Sequence, residues 1–105
     1  MSIAFRIRLR LFATASGGRA TAIRSDYRPD WDLGSTWRGR PTLNGGRVML
    51  EDRPELSPGA EGIARVEPLA PEFWEGVRPG QIIPMHEGSR VVGEATVLET
   101  LDPES

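Results

Sequence analysis

The chain has 105 residues, 38% of them hydrophobic and 27% charged, with a formal net charge of −2. That size and balance fit one folded domain with its own core, spanning residues 1–105, and exclude a disordered chain. There is no cysteine, and all 13 basic residues are arginine. This excludes disulfides, thiol nucleophiles, cysteine-held zinc, a Walker A loop and any lysine Schiff base, including the anchor of pyridoxal phosphate.

From the N-terminus, Ile3, Phe5, Ile7, Leu9 and Leu11 alternate with Ala4, Arg6, Arg8, Arg10 and Phe12. A period of two over ten residues predicts a strand with one buried face. Arg6, Arg8 and Arg10 line its other face, either as a solvated surface that discourages edge pairing or as a stripe for phosphates. The same arginines interrupt Met1–Phe12 as a signal-peptide or membrane-spanning core. A cytoplasmic protein that does not engage membranes is therefore expected.

Ser16-Gly17-Gly18 supplies the positive-φ positions of a turn, and Ala20–Arg24 resumes as a short strand. Pro29 cannot donate to a ladder, so Tyr27-Arg28-Pro29 belongs at a strand end or bulge. Trp31–Arg38 reads as a strand, with Trp31, Leu33 and Trp37 on alternate positions suited to a core. Gly39–Gly46 reads as a loop, because Gly39-Arg40-Pro41 and Asn44-Gly45-Gly46 are both turn chemistry.

Arg47–Glu51 is a further short strand, Pro54–Gly62 a turn-rich connection, and Ile63–Pro68 a strand. Leu69–Gly80 contains Pro71, Pro79 and the pair Phe73-Trp74, and reads as a loop with one helical turn. Gln81–Glu87 and Arg90–Leu101 form a hairpin across Gly88-Ser89. Asp102–Ser105 is expected to fray. No sustained 3.6-residue period appears, so the fold class is all-β, a sandwich or a barrel.

Charge is distributed unevenly. Residues 1–53 hold ten arginines against five acids, and residues 54–105 hold three against ten. This asymmetry permits a basic face without requiring one, because strands from both halves intermix in a closed sheet.

Two stretches stand apart: Gly17-Gly18-Arg19 followed by Tyr27-Arg28-Pro29, and Glu87-Gly88-Ser89-Arg90-Val91-Val92-Gly93-Glu94-Ala95. In order and approximate spacing they resemble the C-terminal, third barrel of elongation factor Tu. That family carries a Gly-Gly-Arg turn, then Gly-Tyr-Arg-Pro, and closes with a Glu-Gly-Gly-Arg-Thr-Val-Gly-Ala-Gly hairpin. The resemblance runs from Phe5 to Leu101 and is poorest between Asp30 and Arg53. It implies a six-stranded antiparallel Greek-key closed barrel, present here without a GTPase domain, so no GTP binding by this chain is expected.

In that family the barrel helps grip the T-stem backbone of aminoacyl-tRNA and contacts the GTPase domain and the exchange factor. Carried onto this chain, the resemblance implies RNA binding at Arg19, Tyr27, Arg28, Gly88, Ser89 and Arg90. A glycine turn beside arginine suits phosphate, since backbone N–H groups and guanidinium both donate to its oxygens. Three departures count against this. Asp26 and Asp30 stand where the family has glycine and glutamine, and Ser89 replaces its second glycine. A purely structural role for the arginines, pairing with Asp26, Asp30 and Glu87, is the competing expectation.

Catalytic readings lack parts. His86 is the sole histidine, which rules out two-histidine chemistry, and no Gly-x-Ser-x-Gly elbow or Gly-x-Gly spacing exists. Glu72 with Glu75, or Asp30 with Asp32, would need a substrate cleft that a filled barrel does not provide. A small enzyme built on His86, Glu87 and a loop carboxylate is the alternative class. In the Phe73-Trp74 pair two adjacent aromatics cannot both point inward from a regular strand, so the pair offers an anchor for a protein partner. The expectation is a non-catalytic binding module for a protein partner or structured RNA, or an elongation-factor mimic regulating translation or a toxin. No cofactor or metal is expected.

Overall fold

The structure, a computed structural model, describes residues 3–101. The expected frayed tail at 102–105 lies outside them. In chain order the strands are β1 (Ala4–Leu11), β2 (Ile23–Arg24), β3 (Asp30–Trp37), β4 (Arg40–Leu50) and β5 (Glu55–Leu56), then β6 (Glu61–Pro68), β7 (Ile82–Glu87) and β8 (Arg90–Leu101). Single 3-10 turns span Thr14–Ser16 and Pro71–Trp74.

Six strands close a barrel in the order β1-β6-β4-β3-β7-β8, every pairing being antiparallel, while β2 and β5 form a separate two-stranded sheet. β3, β4 and β6 follow one another as neighbours, and β7 returns to lie beside β3, which is the Greek-key order. Closure removes the sheet edges that an open arrangement of these short strands would expose.

The alternation in β1 does what it predicts. Phe5, Ile7, Leu9 and Leu11 are all at most 1% exposed, and each such side chain contributes about 1.5–3 kcal/mol through burial. The outer arginines are largely absorbed by neighbouring strands. Arg6 pairs with Glu51 and Glu99 and Arg10 with Glu94, at 2.7–2.8 Å. The outer face of β1 is thus mostly an ion-paired ladder, with Arg8 alone unpaired among the described residues.

Aromatic rings fill one part of the core. Phe5 stacks on Trp74 at 5.7 Å, and Trp74 meets Trp31 edge-on at 6.3 Å. The Trp31 indole donates to the carbonyl of Gly46 at 3.0 Å. A Cβ on Gly46 would come within 2.9 Å of that indole nitrogen and of Val66, so glycine there is what lets β4 approach the ring.

Two expectations need correction. Gly39–Gly46 is not a loop: from Arg40 onward it belongs to the long strand β4. Trp37 is not a core residue but 64% exposed. Both have one cause. β3 pairs with β7 only at Asp30 and Trp31, and β4 pairs with β6 only from Gly46 onward. Between those points the two strands have only each other and run as a ribbon whose outer edges are unpaired. Turn-forming residues and proline are tolerated at such edges. Ala20–Arg24 also contracts to the two-residue β2, and Pro54–Gly62 contains β5 and the start of β6.

Candidate nucleic-acid interface

The two motifs, 68 residues apart at Arg19 and Glu87, meet in space. The chain leaves β1 into the turn at Thr14–Ser16, which ends on Gly17 at φ +92°. Gly18 follows with its N–H donated to the Ala13 carbonyl, and a Cβ there would lie 2.0 Å from the Phe12 carbonyl oxygen. Only glycine fits so close an approach. The Thr14 hydroxyl donates to the Arg19 carbonyl at 2.5 Å, and these bonds together fix where the Arg19 side chain starts.

From there the guanidinium lies over the Tyr27 ring, 4.9 Å from its centroid, and donates to the Glu87 carboxylate. The same carboxylate oxygen accepts the Tyr27 hydroxyl at 2.5 Å. Tyr27 is held by its backbone, which bridges to Val48 in β4. Burial pushes its phenol up to about 12, with Arg19 opposing and Asp30 reinforcing that shift. Arg19, Tyr27 and Glu87 therefore form one partly buried knot joining the first motif to the last hairpin.

This knot sorts the expected contact residues. Arg19 is 19% exposed along its side chain and has its charge matched by Glu87, so it is a structural tie. Arg28 leans on Asp26 at 3.3 Å with its side chain 69% exposed. Asp26 itself sits at φ +77° and is shared with Arg47 at 3.0 Å.

At the hairpin tip Gly88 takes φ +61° with Ser89 at ordinary φ, and Gly88, Ser89 and Arg90 are all exposed. A glycine with positive φ at the first central position is the pattern of a type II′ turn. Arg90 is directly opposite Glu87. Because the Glu87 carboxylate is committed to Arg19 and Tyr27, Arg90 has no ionic partner among the described residues. The six positions thus divide into a tied pair, Arg19 and Tyr27, and an open set, Arg28 with the Gly88–Arg90 turn.

Beside Arg28 runs a groove of about 390 Å³, lined by Pro29, Asp30, Gly45, Gly46, Arg47, Glu67 and neighbouring residues including Leu69. Three of its lining residues, Arg28, Arg47 and Glu67, belong to a chain of alternating charge that runs from Arg28 through Asp26, Arg47 and Glu67 to Arg65. Leu69, also lining the groove, is 82% exposed.

The aromatic pair also divides. Phe73 is 63% exposed, whereas Trp74 is 1% exposed inside the ring cluster. Trp74 is unavailable to a partner without opening the core, so the anchor expectation narrows to Phe73. His86 is half-buried beside Asp30 across the β3/β7 pairing, its Nδ1 buried without a partner. The Glu87 carboxylate of the alternative enzyme reading is engaged elsewhere, by Arg19 and Tyr27.

The competing expectation of structural pairing holds for Arg19 with Glu87 and for Arg28 with Asp26; the sequence did not show that Tyr27 shares Glu87, nor did it mark the ribbon tip. The tip had a signal: Trp37-Arg38-Gly39-Arg40 is a two-residue hairpin loop with glycine second, and Arg38 and Gly39 both take positive φ, at +52° and +76°. Among the described residues no group of three or more His, Asp or Glu side chains is placed to hold a metal ion, and no helix is long and apolar enough to cross a membrane. No family model matches the chain, and no curated protein matches it significantly.

Proposed function

We propose that this protein is a non-catalytic binding barrel resembling the third domain of elongation factor Tu, and that it contacts structured RNA of the tRNA kind through its last hairpin turn. The observation that carries this reading is the Arg19–Tyr27–Glu87 knot. It joins the two motifs on which the resemblance rests, and it occupies Glu87 so that Arg90 projects uncompensated beside the Gly88–Ser89 backbone. An exposed glycine turn beside a guanidinium without an ionic partner among the described residues is suited to a phosphate. Arg28 adds a second, partly compensated cation.

The test is tRNA binding across a salt series. Wild type binds more weakly as salt rises, and Arg90→Glu lowers affinity about tenfold and reduces the log–log slope by about 0.9, the value for one phosphate contact. Equal, weak binding by both proteins sinks the reading. A protein partner is the second reading, favoured by Phe73 and Leu69, which are 63% and 82% exposed on the connection leading into β7. Scattered apolar exposure is ordinary on a surface, so this reading ranks below the first.

A further inference from the structure

The β3–β4 ribbon carries a second set of groups that the hairpin turn does not use. Trp37 and Arg40 are directly opposite each other, and Arg38 stands in the turn between them. The Arg38 guanidinium lies 4.4 Å from the Trp37 ring centroid. Trp37, Arg38, Arg40, Pro41 and Thr42 together line a concavity at the tip.

The charge of this tip is unmatched. Eight other arginines are ion-paired within the protein, whereas among the described residues Arg38 and Arg40 have no carboxylate partner. No acid occurs anywhere from Leu33 to Leu50. An exposed indole, 64% accessible, backed on one face by a guanidinium and flanked by a second, matches the two surfaces of a nucleotide. Its base offers a π face, and its phosphate offers oxygens for guanidinium donors.

We propose that the tip of the β3–β4 ribbon is a contact site for single-stranded nucleic acid, with Trp37 stacking on an unpaired base and Arg38 and Arg40 donating to the adjoining phosphates. A paired helix hides its base faces everywhere except its ends, so the indole selects an unpaired strand. Beyond the barrel pairings both ribbon edges are unpaired, and residues 34–41 are all exposed, which leaves room for a strand to pass. The site stands independently of the Gly88–Arg90 turn.

Trp31 and Trp74 are each 1% exposed, so Trp37 is the indole a ligand or collisional quencher reaches. An oligouridylate of about twelve nucleotides, within the span of known single-strand sites, is titrated against the full chain while its tryptophan fluorescence is followed. Saturable quenching is expected, weakening with salt at a log–log slope of about −1.4, as for two phosphates on a single strand. The double variant Arg38→Glu/Arg40→Glu loses at least about tenfold in affinity and most of that slope. Trp37→Ala, followed by anisotropy of a labelled oligouridylate, loses about tenfold or more. All three side chains are exposed, so thermal melts of these variants match wild type.

Absence of quenching at low salt overturns the proposal, as does unchanged affinity in the double variant. Polyglutamate competing as effectively as the oligonucleotide also overturns it, and assigns the tip to an acidic protein partner. Arg24→Glu, a charge reversal on β2 outside both sites, leaves oligouridylate binding intact; an equal loss there means that overall charge alone sets the affinity and overturns the ribbon site.

Discussion

Tyr27 is the chain's single tyrosine, which makes the Arg19–Tyr27–Glu87 knot open to direct titration. Burial holds the phenol neutral up to about 12, above its ordinary value of 10.0. Its hydrogen bond to the Glu87 carboxylate acts in the same direction, because a phenolate facing a carboxylate has lost a donor and gained a repulsion. The folded value is raised, so the associated stability is fully present below pH 10. It is lost as pH climbs toward 12, where the unfolded chain ionises first. A spectrophotometric titration is therefore expected to show tyrosinate forming at about pH 12 in native protein and at about pH 10 in denatured protein. Tyr27→Phe removes this contribution to the alkaline decline in melting temperature. Native ionisation near the ordinary value would mean that the hydroxyl is solvated and the knot is not formed.

Two aromatic positions on different elements carry opposite predictions for stability. Trp74 ends the 3-10 turn Pro71–Trp74 and is enclosed between Phe5 and Trp31; Trp37 ends β3 in the ribbon. Trp74→Ala is expected to cost about 3–5 kcal/mol, as for large aromatic truncations in cores. Trp37→Ala should stay within about 0.5 kcal/mol. Denaturant unfolding of the two variants measures the contrast, and comparable losses would mean that the ribbon packs onto the barrel. The same elements show what was legible in the sequence. β1 was readable because each inward residue is apolar and each outward one from Arg6 to Arg10 is arginine. The β7–β8 hairpin was readable because Gly88 demands a turn. The first half of β4 was not, since Gly39, Pro41, Asn44 and Gly45 signal turns locally, and a ribbon outside the barrel needs no alternating apolar face to contradict them. At the candidate site, the motifs named Arg19, Tyr27 and Arg90. Which of the arginines Glu87 would take depends on how segments far apart in sequence meet, and no local pattern encodes that.

Across the whole molecule, the uneven charge of the two sequence halves is resolved by pairing between them. Arg6 with Glu99, Arg10 with Glu94, Arg19 with Glu87, Arg24 with Glu55 and Arg47 with Glu67 each join an arginine before residue 54 to an acid after it. The halves are thus sewn together around the barrel instead of forming two poles, and the unmatched cations remain at a few exposed points. Arg47, like Arg6, ties two carboxylates at once. Its hydrogen bond is the main cause holding the Glu67 carboxyl below its ordinary 4.5, with Arg65 assisting, and the main cause holding Asp26 below 3.8, with Arg28 assisting. Both folded values are lowered, so their stabilisation is present above the ordinary carboxylate range and is lost as pH falls through the folded values. These groups lie at the surface, where solvent screens each pair and the increments are modest. Thermal melts from neutral pH down to about pH 2 should accordingly hold steady above about pH 5 and decline below it. Arg47→Met, which keeps much of the stem while removing the charge, should lower the plateau slightly and flatten the decline, because Asp26 and Glu67 then titrate closer to their unfolded values. A variant that loses stability in parallel with wild type across the whole acid range would show that Arg47 does not set these two carboxylates, and would shift the acid sensitivity to other pairs around the barrel.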